Sequence, residues 1–132
     1  MTTYTYTTLN NPLATSGTVA RGINDTGQIV GWYQANTDAV YGFLYDGGSY
    51  ATLNDPLTIK TSPYGINNAG HIVGLIGSGN DEHGFLYSGG TYTILDDPSG
   101  TFGTTIAIGI NSADRELNIP PSLLARADEV IE

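Results

Sequence analysis

The sequence has no cysteine, which excludes disulfides, thiolate catalysis and cysteine-based zinc sites. Basic residues are scarce: 4 Lys and Arg stand against 13 Asp and Glu, for a net charge of −9. A nucleic-acid backbone or an anionic membrane surface requires clustered cations, so neither is expected as a partner. No apolar run approaches the roughly 20 residues that span a bilayer, so no membrane insertion is expected. Met1-Thr2-Thr3-Tyr4 leads straight into strand-like sequence without a basic and then apolar segment, so no signal peptide is expected. Charged residues make up only 13% of the chain, and the acidic excess favours solubility.

Glycine, tyrosine and threonine are abundant instead, with 18 Gly and 9 Tyr in 132 residues. Threonine and tyrosine suit pleated, half-buried surfaces, while glycine and asparagine supply turns, so the bias predicts short strands. The length predicts one domain.

The chain is built from a repeat. Gly22-Ile23-Asn24-Asp25-Thr26-Gly27-Gln28-Ile29-Val30-Gly31 returns as Gly65-Ile66-Asn67-Asn68-Ala69-Gly70-His71-Ile72-Val73-Gly74, a spacing of 43 residues. Tyr41-Gly42-Phe43-Leu44-Tyr45 returns as His83-Gly84-Phe85-Leu86-Tyr87, and Tyr50-Ala51-Thr52-Leu53-Asn54-Asp55-Pro56 as Tyr92-Thr93-Ile94-Leu95-Asp96-Asp97-Pro98. Partial copies flank these: Tyr6 to Pro12 matches the end of a unit, and Gly109-Ile110-Asn111 the start of another. A fixed period of this length is the signature of a repeat architecture. The repeat domain is assigned to residues 1–111, with full repeats at about 22–64 and 65–108 and partial units at 4–21 and 109–111.

Each unit reads as four strands. In the first they are expected over 18–24, 28–33, 41–45 and 49–53, with turns at Asn24 to Gly27 and Asp46-Gly47-Gly48 and a polar loop over 34–40. In the second they are expected over 62–67, 71–76, 83–87 and 91–95, with a loop over 77–82. Strands are also expected over 2–9, where threonine alternates with tyrosine or leucine, and over 104–111. From Ser112 the pattern stops, and residues 112–132 read as a non-repeat tail with a short amphipathic helix after Pro120-Pro121.

Four short antiparallel strands per 40 to 45 residues is the arithmetic of a β-propeller blade, so the expected class is all-β and propeller-like. Ile29, Val30, Phe43, Leu44, Ile72, Val73, Phe85 and Leu86 are the expected interface residues. Propellers typically hold 4–8 blades, and this chain encodes two plus fragments. Self-association is therefore expected, a ring of three copies ahead of other oligomers or of a capped monomer.

These words resemble the bacterial HAF-repeat family, named for a His-Ala-Phe tripeptide whose place is taken here by Tyr41-Gly42-Phe43 and His83-Gly84-Phe85. The likeness covers residues 4–111 and implies an exported, β-rich array, extracellular or periplasmic, without a defined activity. Residues 117–132 are similar to the extreme C-terminus of bacterial ABC-transporter substrate-binding proteins; a stretch this short cannot carry a binding cleft, and no transport function is inferred.

Candidate chemistry is sparse. His71 and His83 are the only imidazoles, and although Asp81-Glu82 adjoins His83, a solvated loop is the simpler reading than a metal site. The turns at Asn54-Asp55-Pro56 and Asp96-Asp97-Pro98 lack the oxygen density calcium requires. No nucleophile elbow, catalytic triad spacing or phosphate loop is present, so neither enzyme activity nor a cofactor is expected. Trp32, Tyr33, Tyr45 and Tyr87 are the candidate ligand-binding residues, as aromatic planes for stacking sugar rings in a lectin-like alternative. Against this, Tyr45 with Tyr50 and Tyr87 with Tyr92 flank hairpin turns, where cross-strand pairing is the ordinary role. Trp32 is matched by Leu75, which singles it out. The main reading is a non-enzymatic structural or interaction module.

Overall fold

The computed structural model describes residues 2–35, 39–98 and 105–112, and among these described residues runs of threonine, tyrosine and branched aliphatics, punctuated by Gly and Asn, form eight strands and no helix. They are β1 (Gly17–Ile23), β2 (Ile29–Gln34), β3 (Val40–Asp46), β4 (Ser49–Leu53), β5 (Lys60–Ile66), β6 (Ile72–Ser78), β7 (Asp81–Ser88) and β8 (Thr91–Leu95). The β3–β4 and β7–β8 hairpins turn on Gly47-Gly48 and Gly89-Gly90, all four with positive φ, as a two-residue primed turn requires.

The strands join in one open sheet of order β1-β2-β3-β5-β6-β7-β8, with β4 paired to β3 off this path. All neighbours are antiparallel except β3 and β5, which meet in parallel at the single pair Val40 and Lys60. Across this narrow join the two four-stranded meanders pack on one another. β5 lies against β1, β2 and β3, and one core cluster holds Val30 and Leu53 of the first meander with Ile66, Ile72, Ile76 and Phe85 of the second. Of the eight expected interface residues, Val30, Phe43, Ile72, Val73 and Phe85 are buried, and Ile29, Leu44 and Leu86 are half-buried.

The glycine of Ile-Val-Gly has a specific cause. β1 and β5 each carry a register irregularity, at Ala20/Gly22 and Pro63/Gly65, which pushes their backbone toward the neighbouring strand. A Cβ on Gly31 would collide with the Val19 carbonyl, and one on Gly74 with the Ser62 carbonyl.

Three expectations are corrected. Residues 2–9 are not a strand, and Tyr4 and Tyr6 are 76% and 92% exposed; their counterpart β4 is held by β3 of its own unit, whereas no described strand pairs with 2–9, so alternation alone leaves this segment without a ladder. The loop expected over 77–82 is mostly strand: β6 runs to Ser78, Gly79 turns at φ 63° and β7 begins at Asp81. Residues 105–111 follow the course expected of a strand, with Thr105 and Ala107 donating to the Glu82 and Gly74 carbonyls, but are not one. The sheet of a single chain is open. The helix expected within 112–132 lies outside the described residues.

Gly74→Ala is expected to destabilise the fold by about 1–3 kcal/mol through overpacking. Gly109→Ala, where a Cβ meets nothing within 4 Å, is expected to change stability by less than about 0.5 kcal/mol. Urea unfolding of the two variants checks the contrast.

Candidate functional site

The most elaborated feature is the seam between units, and it is built by the asparagine of Gly-Ile-Asn. In unit one, Asn24 closes its own turn: its Oδ1 accepts from Gln28 N–H at 2.9 Å and from Thr26 Oγ1 at 2.9 Å. In unit two, Asn67 Oδ1 accepts from His71 N–H at 2.8 Å and Ala69 N–H at 3.1 Å. The amide nitrogens then reach outward. Asn24 Nδ2 donates to the Asn67 carbonyl at 3.0 Å, and Asn67 Nδ2 to the Asn111 carbonyl at 3.1 Å. The next residues follow suit: Asp25 N–H donates to Asn68 Oδ1 at 2.8 Å, and Asn68 N–H to Ser112 Oγ at 3.0 Å. One set of bonds thus recurs at separations of 43 and 44 residues, the period of the sequence.

Backbones approach closely beside this ladder. A Cβ on Gly22 would lie 3.0 Å from the Tyr64 carbonyl oxygen and 3.1 Å from Gly65 Cα, and one on Gly65 3.2 Å from the Ile108 oxygen and 3.5 Å from Gly109 Cα. The Arg21 guanidinium stacks across the seam, 5.0 Å from the centre of the Tyr64 ring. Below it, Asp55 N–H donates to Thr61 Oγ1 at 3.1 Å, as Asn11 N–H does to Thr18 and Asp97 N–H to Thr105.

The candidate binding residues are dispersed. Trp32 is half-buried on β2 and lines a crevice of about 230 Å³ between the meanders with Gln34, Val40, Lys60, Ser62 and Tyr64. That is below the 300–1,000 Å³ usual for ligand pockets. The Lys60 amine on its rim is held by Glu82 at 2.8 Å. Tyr33 is 2% exposed, with its ring 5.6 Å from Tyr41 and its hydroxyl 3.1 Å from Thr52 Oγ1. Tyr45 and Tyr87 pack at a tilt against Tyr50 and Tyr92, ring centres 4.9 and 4.8 Å apart, as cross-strand pairs. Burial, with Tyr87 and Asp55 nearby, pushes the Tyr92 phenol up to about 12, so it stays neutral at physiological pH. Among the described residues no ring pair joins Trp32 to the other three. Tyr64 beside Trp32 is the residue sequence reasoning passed over; its place two positions after Ser62 on β5 puts it on the crevice side.

His83 is clamped between carboxylates. Its Nδ1 lies 2.8 Å from Asp96 Oδ1 and its Nε2 3.0 Å from Asp81 Oδ1. Both ring nitrogens are thereby engaged, and no metal-holding group of three His, Cys, Asp or Glu occurs among the described residues. The hydrogen bond that His83 donates to Asp96, and then the nearby negative charge of Asp96 and Asp81, raise the His83 pKa above 6.5 against the opposing cost of burial. No family model, curated protein or solved structure matches the chain.

Asn67→Ala is expected to destabilise the protein by about 1–3 kcal/mol, because it removes the one oxygen that accepts from the His71 and Ala69 N–H groups and the amide that donates across the seam; thermal and urea unfolding measure it. Because the folded pKa of His83 is raised, its contribution to stability is fully present below pH 6.5 and is lost as pH rises through the folded value. A ¹H NMR titration of His83 is expected to give a midpoint above 6.5, and Asp96→Asn to lower it.

Proposed function

We propose that the chain is a non-enzymatic structural or interaction module made of propeller-type blades of the HAF kind, which associates head to tail with its own copies. A closed ring of three copies, two blades each, is the assembly that best satisfies its geometry. The all-β meander repeated every 43 residues supports the blade reading, and the recurrent seam supports stacking of one unit on the next. Export from the cytoplasm belongs to the same reading through the HAF likeness.

One observation carries it. Residues that match along the repeat differ sharply in exposure according to whether a neighbouring unit covers them. Ile66 is 6% exposed and its counterpart Ile23 is 65% exposed; Leu53 is 6% exposed and its counterpart Leu95 39%. The uncovered members lie on opposite ends of the stack, and beside Ile23 a concavity of about 360 Å³ is lined by Ala20, Arg21, Gly22 and Ile29. Covering one such aliphatic side chain is worth about 1.5–3 kcal/mol. Heterologous ends of this kind favour rings over symmetric pairs.

A second reading, a lectin-like glycan binder, is favoured by the Trp32 and Tyr64 crevice with polar Gln34, Lys60 and Ser62 on its walls. Sugars stack on such planes and bond to such rims.

Sedimentation velocity over a wide concentration range is expected to show mass rising from 13.9 kDa toward three times that value; a constant monomer mass would remove the association reading. On a glycan array the interaction module is expected to bind nothing, whereas binding by the wild type that Trp32→Ala abolishes would favour the lectin.

A further inference from the structure

Thr105 to Ser112 sits on the second unit as β5 sits on the first. Asp97 N–H meets Thr105 Oγ1 as Asp55 N–H meets Thr61 Oγ1, at 3.2 and 3.1 Å. The Asn67 amide finds Asn111 as Asn24 finds Asn67, and the Asn68 N–H finds Ser112 as that of Asp25 finds Asn68. Gly65 lies over Ile108 and Gly109 as Gly22 lies over Tyr64 and Gly65. Gly84 faces Thr105 and Ala107 where Gly42 faces Pro63, the residue matched to Ala107. The occupant nevertheless differs from β5 in one respect. β5 is paired along its length with β6, whose Ile72 and Ile76 share the core cluster with Leu53, whereas 105–112 is in no described strand. Leu95, the counterpart of buried Leu53, accordingly remains 39% exposed.

From this we infer that the seat on the second unit is the docking surface for the β1–β2 hairpin of a second copy, which displaces Thr105 to Ser112 and exchanges the bond that Thr18 Oγ1 accepts from Asn11 N–H of its own chain for one from Asp97 N–H of the neighbour. The inference rests on the self-association reading and specifies the surface, the partner and the segment that competes for it. The fit follows from the interface already present inside the chain. β1 carries the same residues at the matched positions: Thr18 for Thr105, Ala20 for Ala107, Gly22 for Gly109, Ile23 for Ile110 and Asn24 for Asn111. Asp25 stands where Ser112 does, and its carboxylate already accepts from Asn68 Nδ2 within the chain at 2.7 Å, so it is a competent acceptor for the Asn68 N–H of a neighbour. Unlike the resident segment, β1 arrives paired to β2, whose Ile29 is the counterpart of Ile72, and so brings the layer that Leu95 lacks. The exchange covers Ile23 of one copy and Leu95 of the other at once.

The absence of native cysteine makes the contact directly testable in the full chain. Ile23→Cys and Leu95→Cys, both at solvent-exposed positions, are prepared separately and mixed under mild oxidation. A covalent dimer is expected in the mixture and not in either variant alone. Thr105→Val with Ser112→Ala removes two bonds of the resident segment while leaving Thr18 and Asp25 of the incoming hairpin intact, and is expected to tighten association about tenfold by sedimentation. Ile23→Asp is expected to abolish it. Assembly that persists in Ile23→Asp, or gives no mixed disulfide, or loosens in the Thr105→Val and Ser112→Ala chain, overturns this inference and leaves self-association standing. A chain that stays monomeric in every variant overturns both.

Discussion

Everything in this molecule depends on a primary amide that reaches from one repeat to the backbone of the next. A four-stranded meander has two faces, and a unit that buries only one is left with aliphatic surface in water. The Asn24 and Asn67 side chains serve two purposes at once: the oxygen closes the local turn, and the nitrogen ties that turn to the carbonyl 43 or 44 residues on. The turn geometry and the spacing between units are therefore one constraint. Glycine beside each asparagine is the corollary, since Gly22 and Gly65 have backbone of the following unit close above them, where a larger side chain would force the units apart.

The burial gradient follows from that coupling. The second unit, with a neighbour on one side and 105–112 on the other, is buried almost continuously along β6, while the matching strand β2 alternates between buried and half-buried. The departures from repeat identity fall where the seam or the strand ends allow them. Trp32 replaces a leucine that is 2% exposed in the second unit, and opens a crevice at the seam. His83 replaces Tyr41, exchanging a ring contact with Tyr33 for a two-carboxylate clamp that ties the β6–β7 turn to the residue after β8.

Much of this was legible from residue order. Period, turn positions and most of the core could be read because two copies align and because Gly-Gly and Asn-Asp-Thr-Gly have local conformational causes. What escaped was whatever depends on a distant partner. Residues 2–9 carry good strand alternation but have no ladder to join, and the stretch 77–82 reads as loop by composition yet continues β6 and β7, because Gly79 turns the chain within two residues. Tyr33 and Trp32 are adjacent aromatics, and nothing local says that one is buried and the other lines a crevice. The asparagines read only as turn formers, although their persistence at Asn111, where the rest of the pattern is about to stop, was a signal that they do more.

By itself, then, the residue order determined an all-β chain of two like units, the turns that close their hairpins and the aliphatic positions that seek cover, since these depend on backbone preference and alternation within a few residues. Tertiary structure alone decided which matched residue is covered and which is open, because Ile23 and Ile66 are chemically the same and differ only in having a neighbour. It also decided that the amide of each unit is spent on the next, a choice made by proximity in space.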